Sequence, residues 1–135
     1  MNSDGVVVAR ARARGRITML PATARAIAAN EMKKGDVLGA ARFAGVQAAK
    51  EAASYLPLSD PELVSGVTID FTVEAGAIEV TTRVEGTTSI GARMHALSAA
   101  TVAALTIYDM CKSADRTMQI GPVTLVDPPS GATSN

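Results

Sequence analysis

The sequence predicts an α+β fold, an antiparallel sheet with helices packed on one of its faces, and three observations carry that prediction. Residues 6–19 (VVVARARARGRITM) alternate small or apolar side chains with arginine, the period of a half-buried strand. Residues 67–84 contain two further alternating runs separated by Ala75-Gly76, the pattern of a hairpin. Residues 93–118 contain an apolar stretch whose inward candidates recur at three- and four-residue steps, the signature of a core-facing helix. With the intervening segments the order reads β-α-α-β-β-α-β.

Taken in order, the first strand puts Arg10, Arg12, Arg14 and Arg16 on one face and Ala9, Ala11, Ala13, Ile17 and Met19 on the other. The arginine row reads as a solvated, aggregation-resistant edge; the alternative is that one or two of these arginines bind an anionic ligand. Residues 21–30 (PATARAIAAN) form a short helix with Pro21 in its first turn. The KKGDV segment turns at Gly35, and Asp36 caps a second helix over residues 37–54. That helix has a small face made of Ala40, Ala41, Ala44, Gly45, Ala48 and Ala49, suited to close packing. Pro57 and Pro61 make YLPLSDPEL a loop. Val67, Ile69, Phe71 and Val73 face inward on one hairpin strand, and Ile78, Val80, Thr82 and Val84 on the other. On the long helix, the inward stripe reads Leu97, Ala100, Thr101, Ala104, Leu105, Tyr108 and Cys111. A last strand covers 121–126, followed by a polar, proline-rich tail.

Composition bounds the rest. The 135 residues read as one domain spanning 1–135, with residues 1–5 and 127–135 flexible. Hydrophobic residues make up 47% and aromatics only 3%, so the core must be built from Ala, Val, Ile, Leu and Met. So alanine-rich a core brings helices close and leaves apolar faces that a homo-oligomer would bury. Thirteen basic residues balance thirteen acidic ones, which argues against a nucleic-acid partner. Cys111 is the single cysteine, so no internal disulfide forms, and no Cys/His cluster suggests a metal site. No segment reads as a membrane span or a signal-peptide core, so the expected location is the cytoplasm. No phosphate-binding glycine loop or nucleophile elbow is present, and no cofactor is expected.

The candidate chemical residues are Lys34, Asp60, Arg93, His95, Asp109 and Lys112. Each has a structural explanation as well. Lys34 beside Lys33 reads as a solvated turn residue, and Asp60 before Pro61 as a turn former. Asp109 and Lys112, three apart, read as a surface ion pair. Arg93 and His95 follow Gly91, where the chain enters the long helix. An anion would be favoured there, yet His95 also reads as mere helix-end decoration. The residues alone reach a polar site near the long helix.

Three blocks carry a family resemblance: A-x-A-x-G-x-I-x-M at 11–19, KGDVLGAARFAGVQAAK at 34–50 and L-x-AATVAALTIYDMCK at 97–112. With M-Q-IGPV at 118–123, they resemble the MoaC-type cyclic pyranopterin monophosphate synthases of molybdenum-cofactor biosynthesis, over roughly residues 11–126. The resemblance implies a ferredoxin-like α+β fold and a hexamer built as a trimer of dimers, with active sites at the dimer interface. It implies a small phosphorylated purine substrate, 3′,8-cyclo-7,8-dihydroguanosine triphosphate, rearranged to a cyclic pterin with loss of pyrophosphate. Lys34 matches a family catalytic lysine, and Asp109 and Lys112 match a catalytic Asp and Lys. Such a site makes chemical sense, because a triphosphate needs cationic positioning and a suitably tuned lysine can transfer protons.

The departures fall on the remaining site positions. The family's L-C-H-P-L is here Leu58-Ser59-Asp60-Pro61-Glu62, and its G-V-E-M-E-A-L is Gly91-Ala92-Arg93-Met94-His95-Ala96-Leu97. Two carboxylates have become Arg93 and His95, and the lysine of the family's G-G-K-S-G tail is Ala132. Ser59, Asp60, Arg93 and Met94 are the substrate-binding candidates, with His95 as a new acid or base. Such clustering leads us to expect a lyase or cyclase acting on a cyclised purine nucleotide retuned from the family's own. The ordinary family reaction is one alternative, and a non-catalytic nucleotide-binding or partner subunit is another.

Overall fold

The structure is a computed structural model and describes residues 9–59 and 63–126. Its elements run β1 (Ala9–Thr18), α1 (Pro21–Ala28), α2 (Val37–Glu51), a 3₁₀ turn (Ala52–Ser54), β2 (Gly66–Glu74) and β3 (Ala77–Gly86). They continue with α3 (Ser89–Cys111), β4 (Gln119–Ile120) and β5 (Thr124–Leu125). The sheet is antiparallel in the order β2-β3-β1-β4, with β5 also paired to β1. α2 and α3 pack side by side on one face, giving the α+β architecture expected.

β1 alternates as its sequence requires: Ala11, Ala13 and Ile17 are buried while Arg10, Arg12 and Arg14 are exposed. Its arginines do not guard an edge, however. β1 is flanked by β3 on one side and by β4 and β5 on the other. The arginine row instead runs along the middle of the face the helices leave uncovered. Arg10 pairs with Glu85 at 2.9 Å, Arg14 with Glu79 at 3.6 Å and Arg16 with Glu74 at 2.8 Å. One edge is instead β2, which Arg42 of α2 covers: its Nε donates to the Ile69 carbonyl at 3.1 Å, and its guanidinium lies 5.2 Å from the Phe71 ring centre; the short β4 and β5 form the other.

Asp36 caps α2, its carboxylate accepting from the Gly39 N–H at 2.9 Å, and Gly35 before it takes a φ of 106° that few other residues adopt. α1 has no such cap of its own, since its N-cap is Leu20. A distant residue supplies the acceptor. Asp115 takes hydrogen bonds from the Leu20 N–H (2.9 Å) and the Thr23 hydroxyl (2.7 Å), and from the N–H and hydroxyl of Thr117 (2.8 and 2.6 Å). The carboxylate is 2% exposed. Burial pushes its pKa upward, but the Thr117, Leu20 and Thr23 hydrogen bonds to the charged form outweigh this and hold it at about 2.

α3 differs from expectation at both ends and in its inward face. It begins at Ser89, capped by the Thr88 hydroxyl, which accepts from the Gly91 N–H at 3.0 Å, and it ends at Cys111 rather than continuing to Met118. Beyond Cys111 the Asp115 carboxylate binds Thr117 locally, a competitor to helical bonding. Of the expected stripe, Ala100, Ala104 and Cys111 are buried and Leu97 and Tyr108 half-buried, whereas Thr101 is exposed and Leu105 is 54% exposed; Ala92, Ala96, Ala99, Ala103 and Ile107 complete the buried face. The alanine stripe faces inward because α3 is held between the sheet and α2, where only small side chains fit. At Gly45 of α2, an added Cβ would lie 2.6 Å from Ile69 Cδ1 and 3.0 Å from the Ala99 carbonyl oxygen. Ile90–Cys111 is, contrary to the sequence reading, long and apolar enough to cross a bilayer, but half of that stretch is buried within the protein. The last strand is also interrupted: a cis Gly121–Pro122 bond separates two short pieces, both paired to β1.

Three predictions follow from this packing. Gly45→Val should lower stability by at least about 2 kcal/mol in urea unfolding, because the Ala99 carbonyl is backbone and cannot move aside. Asp115→Ala should cost about 3 kcal/mol, since the Thr23 hydroxyl and Leu20 N–H lose their acceptor. The Asp115 carboxyl titrates near 2 folded and near 3.9 unfolded. Its charge therefore contributes roughly 2–3 kcal/mol that is present above about pH 4 and lost as pH falls toward 2. The stability gap between wild type and Asp115→Asn should accordingly narrow below pH 4.

Candidate active site

The antiparallel pair of α2 and α3 sorts the candidate residues into two groups. At one end, the last turn of α3 carries Asp109 and its C-cap Lys112. The Lys112 ammonium donates to the Asp109 carboxylate at 2.5 Å and to the Asp109 backbone carbonyl at 3.1 Å, one of the carbonyls a helix end leaves unbonded. A cation is also favoured there by the helix dipole. Both side chains are more than half exposed.

Lys34 joins this end from the turn before Gly35 and Asp36. The Asp109 carboxyl is held below the usual range chiefly by its hydrogen bond to Lys112, then by that lysine's charge, with a smaller contribution from the charge of Lys34. Lys34, Asp109 and Lys112, separated by up to 78 positions in the chain (112 − 34), therefore share one electrostatic environment. Two ammonium groups around one carboxylate whose ionised form is favoured can receive a phosphorylated anion, with the carboxylate orienting one of them.

The other end holds Arg93, Met94 and His95. The helix entrance predicted for Arg93 and His95 lies earlier, at Thr88, so both occupy the second turn. Arg93 and Met94 are half-buried, while His95 is 1% exposed and its Nδ1 donates to the Ala49 carbonyl at the end of α2. Nε2, the other ring nitrogen, is buried as well. Ser59 follows the 3₁₀ turn, its N–H donating to the Leu56 carbonyl at 3.1 Å. Asp60 and Ala132 lie outside the described residues. Fourteen residues separate His95 from Asp109 on α3, which places the two groups roughly 20 Å apart along the helix axis.

Among the described residues, no group of three or more His, Cys, Asp or Glu side chains is placed to hold a metal ion. Cys111 is buried, and burial followed by the Asp115 charge raises its thiol pKa, so it is no nucleophile. The sequence does not single out Asp115, which is marked only by the Thr117 two residues on.

Comparison with known proteins adds the family. The model of the MoaC family matches residues 2–131. The cyclic pyranopterin monophosphate synthase of Roseiflexus castenholzii is 49% identical over 117 residues, which cover 84% of this chain and 73% of the relative. That of Chloroflexus aggregans is 43% identical over 128 residues, covering 93% and 78%. The molybdenum cofactor biosynthesis bifunctional protein of Chlorobaculum tepidum is 42% identical over 125 residues, covering 93% of this chain and 40% of its own length. A de novo designed protein with a ferredoxin fold superposes with a TM-score of 0.52 at 15% identity, covering 93% of this chain and 92% of its own. It shares the ferredoxin-like fold alone.

The electrostatic coupling is directly measurable. In a carbon-13 NMR titration, the Asp109 carboxyl pKa should rise on Lys112→Ala, and by a smaller amount on Lys34→Ala. An unchanged pKa in both variants would mean that the three groups do not share a site.

Proposed function

The chain belongs to the MoaC family, and from that premise we propose that it is a lyase of the cyclic pyranopterin monophosphate synthase type, acting on a cyclised purine nucleoside triphosphate. The observation that carries this reading is the gathering of Lys34, Asp109 and Lys112 at one end of the helix pair. These are the positions at which the chain keeps the family's residues. Lys34 and Lys112 attract the triphosphate and exchange protons with the rearranging ring, and the departing pyrophosphate leaves from a cationic setting. Asp109 stays ionised and holds the Lys112 ammonium in place.

The complete site, in this reading, forms between two copies of the chain. Roughly 24 Å of helix separates Asp109 from Arg93, too far for both to touch one small molecule from the same chain. A second copy in the opposite sense would bring its Ser59, Arg93 and Met94 to the Lys34–Asp109–Lys112 end, with the buried His95 behind them, and a trimer of such dimers is the hexamer the family resemblance implies.

A retuned substrate is the second reading, favoured by Arg93 and His95 standing where the family motif has carboxylates. Of the two, Arg93 is half-buried and can present positive charge to a more anionic nucleotide, whereas His95 is buried against the Ala49 carbonyl and acts only through the packing behind it.

One assay separates them. The purified chain is incubated with 3′,8-cyclo-7,8-dihydroguanosine triphosphate, and pyrophosphate and the cyclic pterin are both measured. We expect both products to form, and Lys34→Ala and Lys112→Ala each to slow the reaction by about a hundredfold or more while leaving the fold intact. A folded wild-type chain that forms neither product rules out the ordinary family reaction. Screening other cyclised purine nucleotides then decides between the retuned enzyme and a binding or partner subunit.

A further inference from the structure

The open face of the sheet contains one row that the ion pairs leave out. Register places Arg12 directly opposite Arg83, and Arg83 directly opposite Thr68. Val126 continues the row beyond Arg12, its N–H donating to the Arg12 carbonyl at 2.9 Å. Like charges directly opposite one another destabilise an antiparallel pair. The neighbouring rows avoid this, since Arg10 lies opposite Glu85 and Arg16 opposite Glu79. Among the described residues Arg10, Arg14 and Arg16 each have an acidic partner, and Arg12 and Arg83 have none.

A groove of about 550 Å³ lies over this row, lined by Arg10, Arg12, Thr68, Arg83, Glu85 and Val126 among others. Glu85 is bonded to Arg10 at 2.9 Å, so the charges of that pair offset each other and two guanidinium groups remain uncompensated in the groove. Guanidinium forks match phosphate oxygens two at a time, and the Thr68 hydroxyl adds a donor in the same row. We propose that Arg12, Arg83 and Thr68 form a phosphoanion-binding site on the open face of the sheet. A bound phosphate relieves the repulsion that the empty row carries.

This site is not the lysine cluster. The Thr82 hydroxyl donates to the Ala96 carbonyl at 2.8 Å, which sets Arg83 level with Ala96 on α3. Asp109 lies thirteen residues further on, roughly 20 Å along the axis, and on the helical side of the sheet. The site stands whether or not the chain turns over a nucleotide.

Isothermal titration calorimetry of the full chain at low salt tests it, with inorganic pyrophosphate and with GTP as separate probes. All variants carry Lys112→Ala, so that the lysine cluster does not mask the result. Arg12→Gln and Arg83→Gln should each raise Kd by about tenfold or more, and Arg14→Gln, an ion-paired arginine on the same face, should not. In the absence of ligand, Arg83→Gln should keep or raise the melting temperature, because it removes a repulsion. Equal dependence on Arg12 and Arg83 for both probes assigns a free phosphoanion. GTP binding at least tenfold tighter than pyrophosphate, with the same dependence, assigns the phosphate chain of a nucleotide. The proposal is overturned if neither probe binds at millimolar concentration, if both substitutions leave binding unchanged, or if Arg14→Gln weakens it as much.

Discussion

The contact between α2 and α3 at Gly45 governs the placement of everything functional. A Cβ there would lie 3.0 Å from the Ala99 carbonyl and 2.6 Å from Ile69, so the two helices and β2 meet at a distance only glycine permits. The facing stripe of α3 is alanine for the same reason. With two Phe, two Tyr and no Trp in the chain, the core has few bulky side chains to fill wide gaps. It closes them by bringing backbones together. That close antiparallel pairing sets Lys34, just before α2, beside the end of α3, and sets Ala49, at the end of α2, against His95 near its start.

Asp115 fixes the other boundary condition. Its carboxylate ties the α3 exit to the entrance of α1, so the turn after Lys112 is anchored to the end of β1. Lys112 and Asp109 thus sit on a rigid helix end while their side chains remain open to solvent. A buried, fully bonded carboxylate supports an exposed one that stays ionised, through different physics in each case: hydrogen bonds to neutral donors for Asp115, a neighbouring ammonium for Asp109. Because both ends belong to one continuous helix, α3, the Lys112 end and the His95 end cannot approach each other within one chain. A ligand touching both requires a second copy.

The two faces of the sheet divide their tasks. One buries Ala11, Ala13, Ile17, Ile78 and Val80 under the helices, where each large apolar side chain contributes roughly 1.5–3 kcal/mol. The other arranges charge. Most of its arginines are neutralised across strands, a pattern worth little in stability but effective in avoiding repulsion. The Arg12–Arg83 row is the exception, and the proposed phosphoanion site rests on it.

The sequence by itself determined the element types and their order, because periods of two and of three to four residues survive in any context that has one wet and one dry side. It determined the outward arginines of β1, the Asp36 cap, the hairpin at Ala75-Gly76 and the family, whose residues recur at Lys34, Asp109 and Lys112. It placed Ala100, Ala104 and Cys111 of α3 inward but not the full width of that face: Leu105 looks like core by hydrophobicity and is exposed, while Ala92, Ala96, Ala99 and Ala103 are buried because the neighbouring backbone is too close for larger side chains. Nor could it show that β1 lies inside the sheet rather than at its edge, that Asp115 caps a helix 95 positions away (115 − 20), or that Arg12 opposes Arg83. Each of these depends on which strands pair and at what register, and register is a property of two segments at once. Local pattern is written in one segment, and opposition across the sheet exists only after the chain has folded.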